Sequence, residues 1–226
     1  MSTTAPKSDG RRTAALARRR AREREILDAT RALFDERGVR DAQIEDIAQA
    51  VGINRAIVYR HFSGKEELFA LTLVGYLDEL EERMAAAGTS PDPGQRLAEL
   101  TGAFVDYGLE FPAFVDCAQT LMRRPGPELL EELSESSLFR LGRGIATSLE
   151  LVVSTLRDGN AAGVFAVEHP ELLANTLYAS GLGALQLARV GMLVKEAAPG
   201  IPTIAPLSAD QVKEHVVTAA LALARG

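Results

Sequence analysis

Residues 52–67 read GINRAIVYRHFSGKEE, which predicts a glycine turn, a short helix and the start of another helix. Gly52 suits a left-handed turn, and Asn54 can cap the short helix. The outer side of that helix is basic and hydrogen-bonding, and it consists of Arg55, Tyr59, Arg60 and His61. The inner side consists of Ile57, Val58 and Phe62 and can pack on a small core. Because the major groove of DNA admits one α-helix and displays donors and acceptors, this helix is suited to bind there.

The composition is that of an ordinary globular protein, with 226 residues, 46% hydrophobic and 25% charged. The single cysteine, Cys117, excludes an intramolecular disulfide and a thiolate-rich zinc site, and it fits a reducing cytosol. No apolar stretch follows the basic residues near the N-terminus, so we expect no secretory signal and a cytoplasmic protein. The sequence has no glycine-rich phosphate loop, no metal-ligand cluster and no nucleophile motif. We therefore expect neither an enzyme nor a bound cofactor.

Charge is distributed unevenly along the chain. Residues 1–65 hold 14 Lys and Arg against 9 Asp and Glu, whereas residues 66–226 hold 11 against 22. One interpretation is a solvated acidic surface with a disordered basic tail. The other is a basic front that contacts a polyanion while the acidic body faces solvent. Charge alone leaves both open.

The N-terminal residues predict a flexible basic extension over residues 1–21, with the first 17 rich in Ser, Thr, Ala and Pro. Its basic run includes Arg18, Arg19, Arg20 and Arg22. This run is either a solvated helix start or an arm that contacts phosphates or the minor groove, and both can hold together.

A helical unit follows over residues 22–69. Apolar residues spaced along 26–34 predict a first helix that Gly38 ends, and Ile44, Ile47 and Ala48 mark a second helix. Ser63 with Glu66 predicts a capping box for a fourth helix. Lys65 would then oppose the helix dipole in the first turn, which is easier to understand if a phosphate lies beside it.

From Glu66 onward we find no strand pattern, so the sequence predicts an all-α protein. Residues 88–94, Pro112 and residues 123–127 interrupt a series of amphipathic helices, and Ser208 with Gln211 predicts a capping box for the last helix. Residues 171–194 are nearly uncharged. A membrane span is conceivable on length, but polar residues interrupt the run. Burial is favoured, either within one subunit or with residues 208–225 in a four-helix bundle across a two-fold axis.

Residues 22–69 resemble the DNA-binding region of the TetR family of bacterial transcriptional regulators. The segments that carry the resemblance are ILDATRALFDERG (26–38), IEDIAQAVGI (44–53), NRAIVYRHF (54–62) and SGKEELF (63–69). Residues 70–226 resemble the family only in their helical character, their length and their last two helices. The resemblance implies a homodimer that joins an N-terminal helix-turn-helix unit to a larger effector-binding and dimerisation domain. In such proteins a small molecule pivots the two DNA-binding units and releases DNA.

The resemblance also implies which residues contact double-stranded DNA, namely Gln43, Arg55, Ala56, Ile57, Tyr59, Arg60, His61 and Lys65. Arg55 is the candidate for base readout, because a guanidinium can bond to guanine O6 and N7. Tyr59, His61 and Lys65 resemble phosphate contacts, which fix register without reading sequence. Where many relatives have Thr or Ser, this chain has Ala42-Gln43-Ile44; Gln43 can still contact a phosphate or a base edge.

A ligand cavity is less well marked. Candidate lining residues are Phe104, Tyr107, Phe111, Phe114, Cys117, Met122, Phe139 and Tyr178, although residues of these types are more often plain core. Asp116 either points outward or faces the cavity, where it would favour a cationic or hydroxylated ligand. His169 and His215 lack metal-ligand spacing and are expected at the surface.

These observations predict a sequence-specific DNA-binding regulator, a repressor that a small-molecule effector releases from a two-fold symmetric operator. The alternative is a constitutive or architectural DNA-binding dimer that takes no ligand. A helical enzyme is disfavoured, because no catalytic motif is present.

Overall fold

The computed structural model describes residues 7–226, apart from the side chains of residues 7–9 and 11. Within that range the chain forms ten helices and one two-stranded hairpin. The elements are α1 (Lys7–Arg37), α2 (Ile44–Val51), α3 (Arg55–His61), α4 (Lys65–Ala87), α5 (Pro93–Glu110), α6 (Pro112–Met122), α7 (Gly126–Glu132), α8 (Glu135–Ala161), α9 (Pro170–Val190), β1 (Met192–Ala198), β2 (Ile201–Pro206) and α10 (Ala209–Arg225). The helical fold class predicted from the sequence is confirmed, with the hairpin as an addition.

The first three helices enclose a small apolar core. It contains Ile26 and Phe34 of α1, Ile47 of α2, Val58 of α3 and the following Phe62, each at most 1% exposed. Gly38 and Gly52 end α1 and α2 with φ of 83° and 68°, a backbone conformation that favours glycine. The predicted glycine ends of both helices are therefore confirmed, and the sharp turn at Gly52 sets the direction in which α3 leaves α2.

The remaining helices pack into a larger body behind this unit. Helix α4 runs from the end of α3 into the body and packs against α8 and α5, while α9 and α10 lie together on its far side. Tyr76, Leu77, Leu97, Phe114 and Leu156 are fully buried at its centre. Helix α4 therefore belongs to both parts and begins directly after α3.

Two boundaries near the N-terminus differ from the sequence prediction. Helix α1 begins at Lys7, so residues 7–17 are helical where flexible chain was predicted, because Ala, Arg and Leu in this stretch are good helix formers. The part of the predicted extension before Lys7 lies outside the described residues. The predicted capping box of Ser63 and Glu66 was wrong. Gly64 is the residue before α4, and the backbone N–H of Ser63 donates instead to Glu67 Oε2 at 2.6 Å.

The absence of strands was also a wrong prediction. Gly191, with φ of 67°, ends α9 at Val190, and β1 then pairs antiparallel with β2, with Val194 opposite Ile204. β-branched residues and the turn at Gly200 favour a hairpin over continued helix. Val194 and Ile204 are 77% and 66% exposed, so the hairpin projects from the body.

Other boundaries agree with the sequence. Pro93, Pro112 and Pro170 each begin a helix, and the reciprocal bonds between Ser208 and Gln211, at 2.9 and 3.1 Å, confirm the capping box of α10. The short α7, which was not predicted, begins at Gly126 within the break predicted at residues 123–127. No helix among residues 7–226 is long and apolar enough to cross a membrane.

Candidate DNA interface and ligand cavity

Helix α3 presents a polar side to solvent and an apolar side to the core. The side chain of Asn54 caps it by accepting a hydrogen bond from the backbone N–H of Ala56 at 2.8 Å. Arg55, Ala56, Tyr59 and Arg60 are exposed, whereas Val58 is 1% exposed. With the cap and the buried contact fixing the helix at both sides, the exposed residues form one surface that an adjacent DNA groove can accept.

Arg55 is tied to the neighbouring helix. Its guanidinium Nη1 lies 2.5 Å from Oε1 of Glu45 on α2, and it lies 5.8 Å from the centre of the Tyr59 ring. The two paired side chains are 61% and 59% exposed, so water and salt screen the pair. A hydrogen bond from its own backbone N–H, together with Arg55, lowers the pKa of Glu45. For Arg55 to contact a base, its ion pair with Glu45 has to break, or the guanidinium has to bond to Glu45 and the base together.

Three other predicted DNA contacts are less freely placed. Gln43 is the residue before α2, with its side chain exposed and its backbone N–H bonded to Asp46 Oδ2 at 3.2 Å. Ile57 is half-buried. Lys65 is half-buried in the first turn of α4, with its ammonium 5.0 Å from the centre of the Phe69 ring. The contact with this ring offsets the unfavourable position of Lys65 in the helix dipole. From the sequence, a neighbouring phosphate was expected to offset it.

His61 faces α1 rather than open solvent. It lies in a crevice with Arg19 and Glu23, and its Nδ1 is buried with no hydrogen-bond partner among the described residues. Loss of hydration and the charge of Arg19 lower its pKa, so its imidazole is neutral at pH 7. A phosphate contact by His61 therefore depends on Nε2 or on a shift of α1.

The predicted N-terminal arm is part of helix α1. Arg18, Arg19 and Arg20 are exposed on it, and Arg22 pairs with Glu25 at 2.8 Å. The structure places these arginines on a helix, as one interpretation predicted, and their contact with phosphates stays a prediction. In a regular helix these arginines are fixed on the helix surface, so they cannot follow a DNA groove in the way that an extended chain does.

Sequence reasoning missed the role of Glu67, which is 5% exposed at the junction of the two parts. Its carboxylate accepts hydrogen bonds from the Ser63 backbone N–H, from Ser134 and from Ser137, the last at 2.6 Å. Burial alone would raise its pKa, but these donors outweigh burial and lower it to about 2. Glu67 thus connects the turn after α3 to the start of α8. The signal in the sequence was a second acidic residue, directly after Glu66 and just before an apolar run, which a solvated helix start also explains.

Further polar contacts join α1 to the body. The Tyr76 hydroxyl donates to Asp35 Oδ1 at 2.6 Å, and Arg140 of α8 pairs with Glu23 of α1 at 2.6 Å. Arg31 bonds to Glu79 and stacks 4.3 Å from the centre of the Tyr76 ring. These contacts couple the orientation of the first three helices to α4 and α8.

An apolar cavity of about 40 Å³ lies inside the body, between α4, α5, α8, α9 and α10. Its walls are Leu80, Met84, Thr101, Phe104, Ser148, Leu149, Val152, Ala174, Leu177, Tyr178 and Val216. Phe104 and Tyr178 belong to the set predicted from the sequence, and their rings meet edge to face with centres 5.9 Å apart. The other wall residues come from five helices, and sequence spacing gives no indication that they meet.

The other six residues of the predicted set lie elsewhere. Phe114 and Cys117 are fully buried core, and burial raises the pKa of the Cys117 thiol. Tyr107 is buried beside Glu79, with the two oxygens 3.4 Å apart, and Phe111 packs against Tyr107 with ring centres at 4.9 Å. Met122 and Phe139 are 54% and 70% exposed, so their prediction as cavity residues was wrong: they point away from the apolar faces of α6 and α8.

Asp116 lies beside a separate polar cleft between α6, α9 and the α1–α2 loop. It pairs with Arg189 of α9 at 2.6 Å and accepts from Gln186 at 3.2 Å. It is therefore neither turned to open solvent nor placed in the apolar cavity. His169 and His215 are exposed, as expected.

Comparison with known proteins identifies the first unit. Residues 26–72 match the family model described as bacterial regulatory proteins, tetR family. The first unit of this chain therefore resembles that family. The match runs from Ile26, in the second half of α1, to the first two turns of α4, so it contains all of α2 and α3.

Relatives outside this region are more distant. The HTH-type transcriptional repressor KstR2 of Mycobacterium tuberculosis H37Rv is 32% identical over 117 residues, which cover 50% of this chain and 58% of KstR2. The HTH-type transcriptional activator FasR of Mycolicibacterium smegmatis is 33% identical over 84 residues, 37% of this chain and 38% of FasR. The chain thus matches less than two thirds of the length of these relatives, and the tetR-family match does not reach the helices that line most of the cavity.

Solved structures show the same fold over most of the chain. RolR in complex with resorcinol superposes with a TM-score of 0.64 at 20% identity, covering 92% of this chain and 90% of RolR. PfmR, a TetR family regulator from Thermus thermophilus, superposes with a TM-score of 0.58 at 23% identity, covering 89% of this chain and 97% of PfmR. KstR2 of M. tuberculosis gives a TM-score of 0.54 at 25% identity, covering 89% and 93%.

Proposed function

We propose that this chain is a sequence-specific DNA-binding transcriptional regulator, a repressor that a small molecule releases from its operator. The observation that carries the proposal is α3, a capped helix with exposed arginine and tyrosine side chains in a unit that matches the tetR family. A repressor role is supported by KstR2, which is named a transcriptional repressor. Such a protein acts where bacterial DNA lies, in the cytoplasm.

The proposed reading unit is residues 22–69, and the proposed effector-binding and dimerisation domain is residues 70–226. Arg55 reads base edges, while Tyr59, His61 and Lys65 contact phosphates. Gln43, Ala56, Ile57 and Arg60 complete the surface. The basic side chains of α1 add attraction to the DNA backbone that depends on salt and not on sequence.

Dimerisation is proposed through α9 and α10. Leu172, Thr176, Ser180, Gly183, Leu187 and Val190 are all exposed and follow one another at helical spacing along one side of α9. A stripe of small and apolar residues on a long helix permits close approach of a second copy. Two copies related by a two-fold axis would bind half-sites about 34–36 Å apart, or at a multiple of that distance.

Release by a ligand follows from the position of the cavity. Leu80 and Met84 of α4 form part of its wall, and α4 begins directly after α3. A ligand that enlarges the cavity displaces α4 relative to α8, the helix at whose start Ser134 and Ser137 bond to Glu67 of α4. The two α3 helices of a dimer then lose the spacing that fits the operator.

The direct test is to isolate genomic fragments bound by the protein and to titrate the recovered duplex at several salt concentrations. We expect a two-fold symmetric protected site, affinity well above that for unrelated duplex, and loss of affinity as salt rises. Equal affinity for all duplexes contradicts sequence-specific recognition.

A second candidate function is a DNA-binding dimer that takes no ligand. The observation that favours it is a cavity largely filled by the protein's own side chains, with a volume of about 40 Å³ compared with the several hundred Å³ of ordinary ligand sites. Repeating the titration with candidate small molecules separates the two functions, since only the ligand-controlled repressor releases its operator.

A further inference from the structure

The wall of the apolar cavity contains three hydroxyl groups, of which two are unused. Ser148 Oγ donates within α8 to the carbonyl oxygen of Gly144 at 3.2 Å. Among the residues that the structure describes, the hydroxyls of Thr101 and Tyr178 have no hydrogen-bond partner. Both oxygens keep accessible surface, unlike the enclosed and unpartnered His61 Nδ1. Both hydroxyls are therefore available to form a hydrogen bond with an oxygen of a ligand that enters the cavity.

No charged side chain forms part of the cavity wall within the described part of the chain. An ionised carboxylate, phosphate or ammonium group placed here would lose its hydration without gaining a counter-charge, which excludes charged ligands. The phenol of Tyr178 remains protonated at neutral pH, because burial raises its pKa. It can therefore donate a hydrogen bond to an oxygen of the ligand.

The size of the ligand is limited by the aromatic wall. A volume of about 40 Å³ corresponds to a few water molecules, since about 10–15 Å³ of such space holds one. Phe104 is the bulky wall residue, and its ring lies against α9 so closely that a Cβ on Gly181 would be 2.6 Å from its Cε1. It cannot move toward α9. Met84 on the opposite side has a flexible side chain and can yield. The opening gained this way suits one ring, not an extended chain or a fused ring system.

We propose that the effector of this protein is a compact, uncharged, mainly apolar molecule with one or two hydroxyl or carbonyl oxygens, which bond to Tyr178 and Thr101. The proposal rests on the proposed ligand-controlled function and adds the chemical class of the ligand. The two hydroxyls favour ligands that carry an oxygen, the uncharged wall disfavours ionised ligands, and the Phe104 ring excludes long ligands.

Three molecules of similar size test this proposal: toluene, m-cresol and 3-methylbenzoate. Calorimetric titration of the full chain without DNA should give binding of m-cresol, binding of toluene about 5-fold weaker for want of one hydrogen bond, and 3-methylbenzoate at least about 100-fold weaker than m-cresol. In Tyr178→Phe the preference for m-cresol over toluene should fall to near one, with toluene affinity unchanged. Thr101→Val should reduce the preference in the same direction.

Tyr107→Phe is the matched control, because it removes a buried tyrosine hydroxyl outside the cavity wall and should leave both affinities unchanged. The proposal is overturned if 3-methylbenzoate binds as well as m-cresol, if Tyr178→Phe weakens toluene and m-cresol equally, or if none of the three binds at millimolar concentration. Duplex binding measured on the same preparations is a separate readout. Failure of the ligand proposal therefore leaves the DNA-binding proposal standing, and the reverse also holds.

Discussion

Arg55 is engaged by Glu45 before any DNA is bound, which gives the proposed readout residue a defined starting position. The pair is exposed, so opening it costs little, and a guanine edge offers two acceptors in place of one carboxylate. Arg55→Ala should lower affinity for the operator by about 1–3 kcal/mol and relax base preference at one position of each half-site. The measurement is a set of dissociation constants for operator duplexes substituted at each position.

Arg143→Ala provides a matched control, since this arginine is exposed on α8, away from α3. It removes the same charge and should leave the base preference intact. A uniform loss of affinity across all substituted duplexes in Arg55→Ala would contradict base readout by this residue.

Lys65 is proposed to contact a phosphate, and the expected signature of that contact is different. Its ammonium already lies 5.0 Å from the Phe69 ring, which holds it at the end of α4 nearest α3. Lys65→Ala should weaken binding to all sequences alike and reduce the slope of log affinity against log salt by about one. Affinities measured across a salt series check this, and an unchanged slope would show that Lys65 contacts no phosphate.

Glu67 makes the stability of the protein depend on pH in the acid range. Its folded-state pKa of about 2 lies below the ordinary 4.5, so its stabilising contribution is complete above pH 4.5 and is lost as pH falls from 4.5 to 2. This lowering of the pKa corresponds to a contribution of about 3 kcal/mol to the free energy of unfolding at pH 7. Glu67→Gln should therefore unfold at lower urea than the native chain at pH 7, and the difference should shrink toward pH 2.

Glu131→Gln is the control for this pH series, because Glu131 is exposed on α7. It should leave the unfolding midpoint and its pH dependence unchanged. The free energies of unfolding of Glu67→Gln and of the native chain could differ by the same amount at pH 7 and at pH 2. That result would show that the hydrogen bonds to Ser134 and Ser137 do not favour the ionised carboxylate.

At the scale of elements, local chemistry predicted most helix ends, and tertiary contacts decided the exceptions. Asn54, Ser208 and Pro170 act on atoms within a few residues, so their effects could be read from the sequence. Ser63 was misassigned because the Glu67 carboxylate bonds to its backbone N–H and to two serines of α8, about 70 residues away. No local pattern shows that contact.

The hairpin and the cavity were missed for related reasons. Residues 192–206 do not alternate polar and apolar side chains, because both faces of the hairpin are largely exposed and no buried face imposes a period of two. The cavity wall combines five helices, so only Phe104 and Tyr178, which are large and aromatic, were recognisable as candidates. Met122 and Phe139 satisfied the same criterion and proved to be exposed.

Close contact between α5 and α9 depends on Gly181. A Cβ there would lie 2.6 Å from Phe104 Cε1, and the Phe104 ring is held edge to face against Phe114 with centres 6.2 Å apart. Gly181→Ala should therefore destabilise the protein by about 1–3 kcal/mol through overpacking. In contrast, Gly142→Ala on α8 meets nothing within 4 Å and should stabilise by about 0.5–1 kcal/mol through helix propensity. Urea unfolding of both variants checks the opposite signs, and equal stabilisation would contradict the tight contact.

At the scale of the whole molecule, the unit that contains α3 and the larger body differ in charge. Residues 1–65, which contain α3, hold more basic than acidic residues, whereas residues 66–226 hold twice as many acidic as basic residues. Such a body is repelled by DNA, so attraction acts on the α3 end and orients the molecule as it approaches. The exposed stripe of α9 lies in the acidic body and remains free to contact a second copy while α3 faces DNA.

The dimer proposal makes the last prediction, and Gly183 is the position that tests it. Gly183 is exposed at the middle of the α9 stripe and a Cβ there meets nothing within 4 Å of its own subunit, so a large side chain does not disturb the fold of one chain. In a dimer packed through this stripe, Gly183→Arg places a charge where two helices approach closely, and it should yield monomers at micromolar concentration. Each monomer binds one half-site, so affinity for the two-fold operator should fall to that for an isolated half-site. Sedimentation and duplex titration measure the two effects, with Ala146→Arg on the exposed side of α8 as the control for an added arginine. A Gly183→Arg protein that still sediments as a dimer would exclude this face of α9 as the interface.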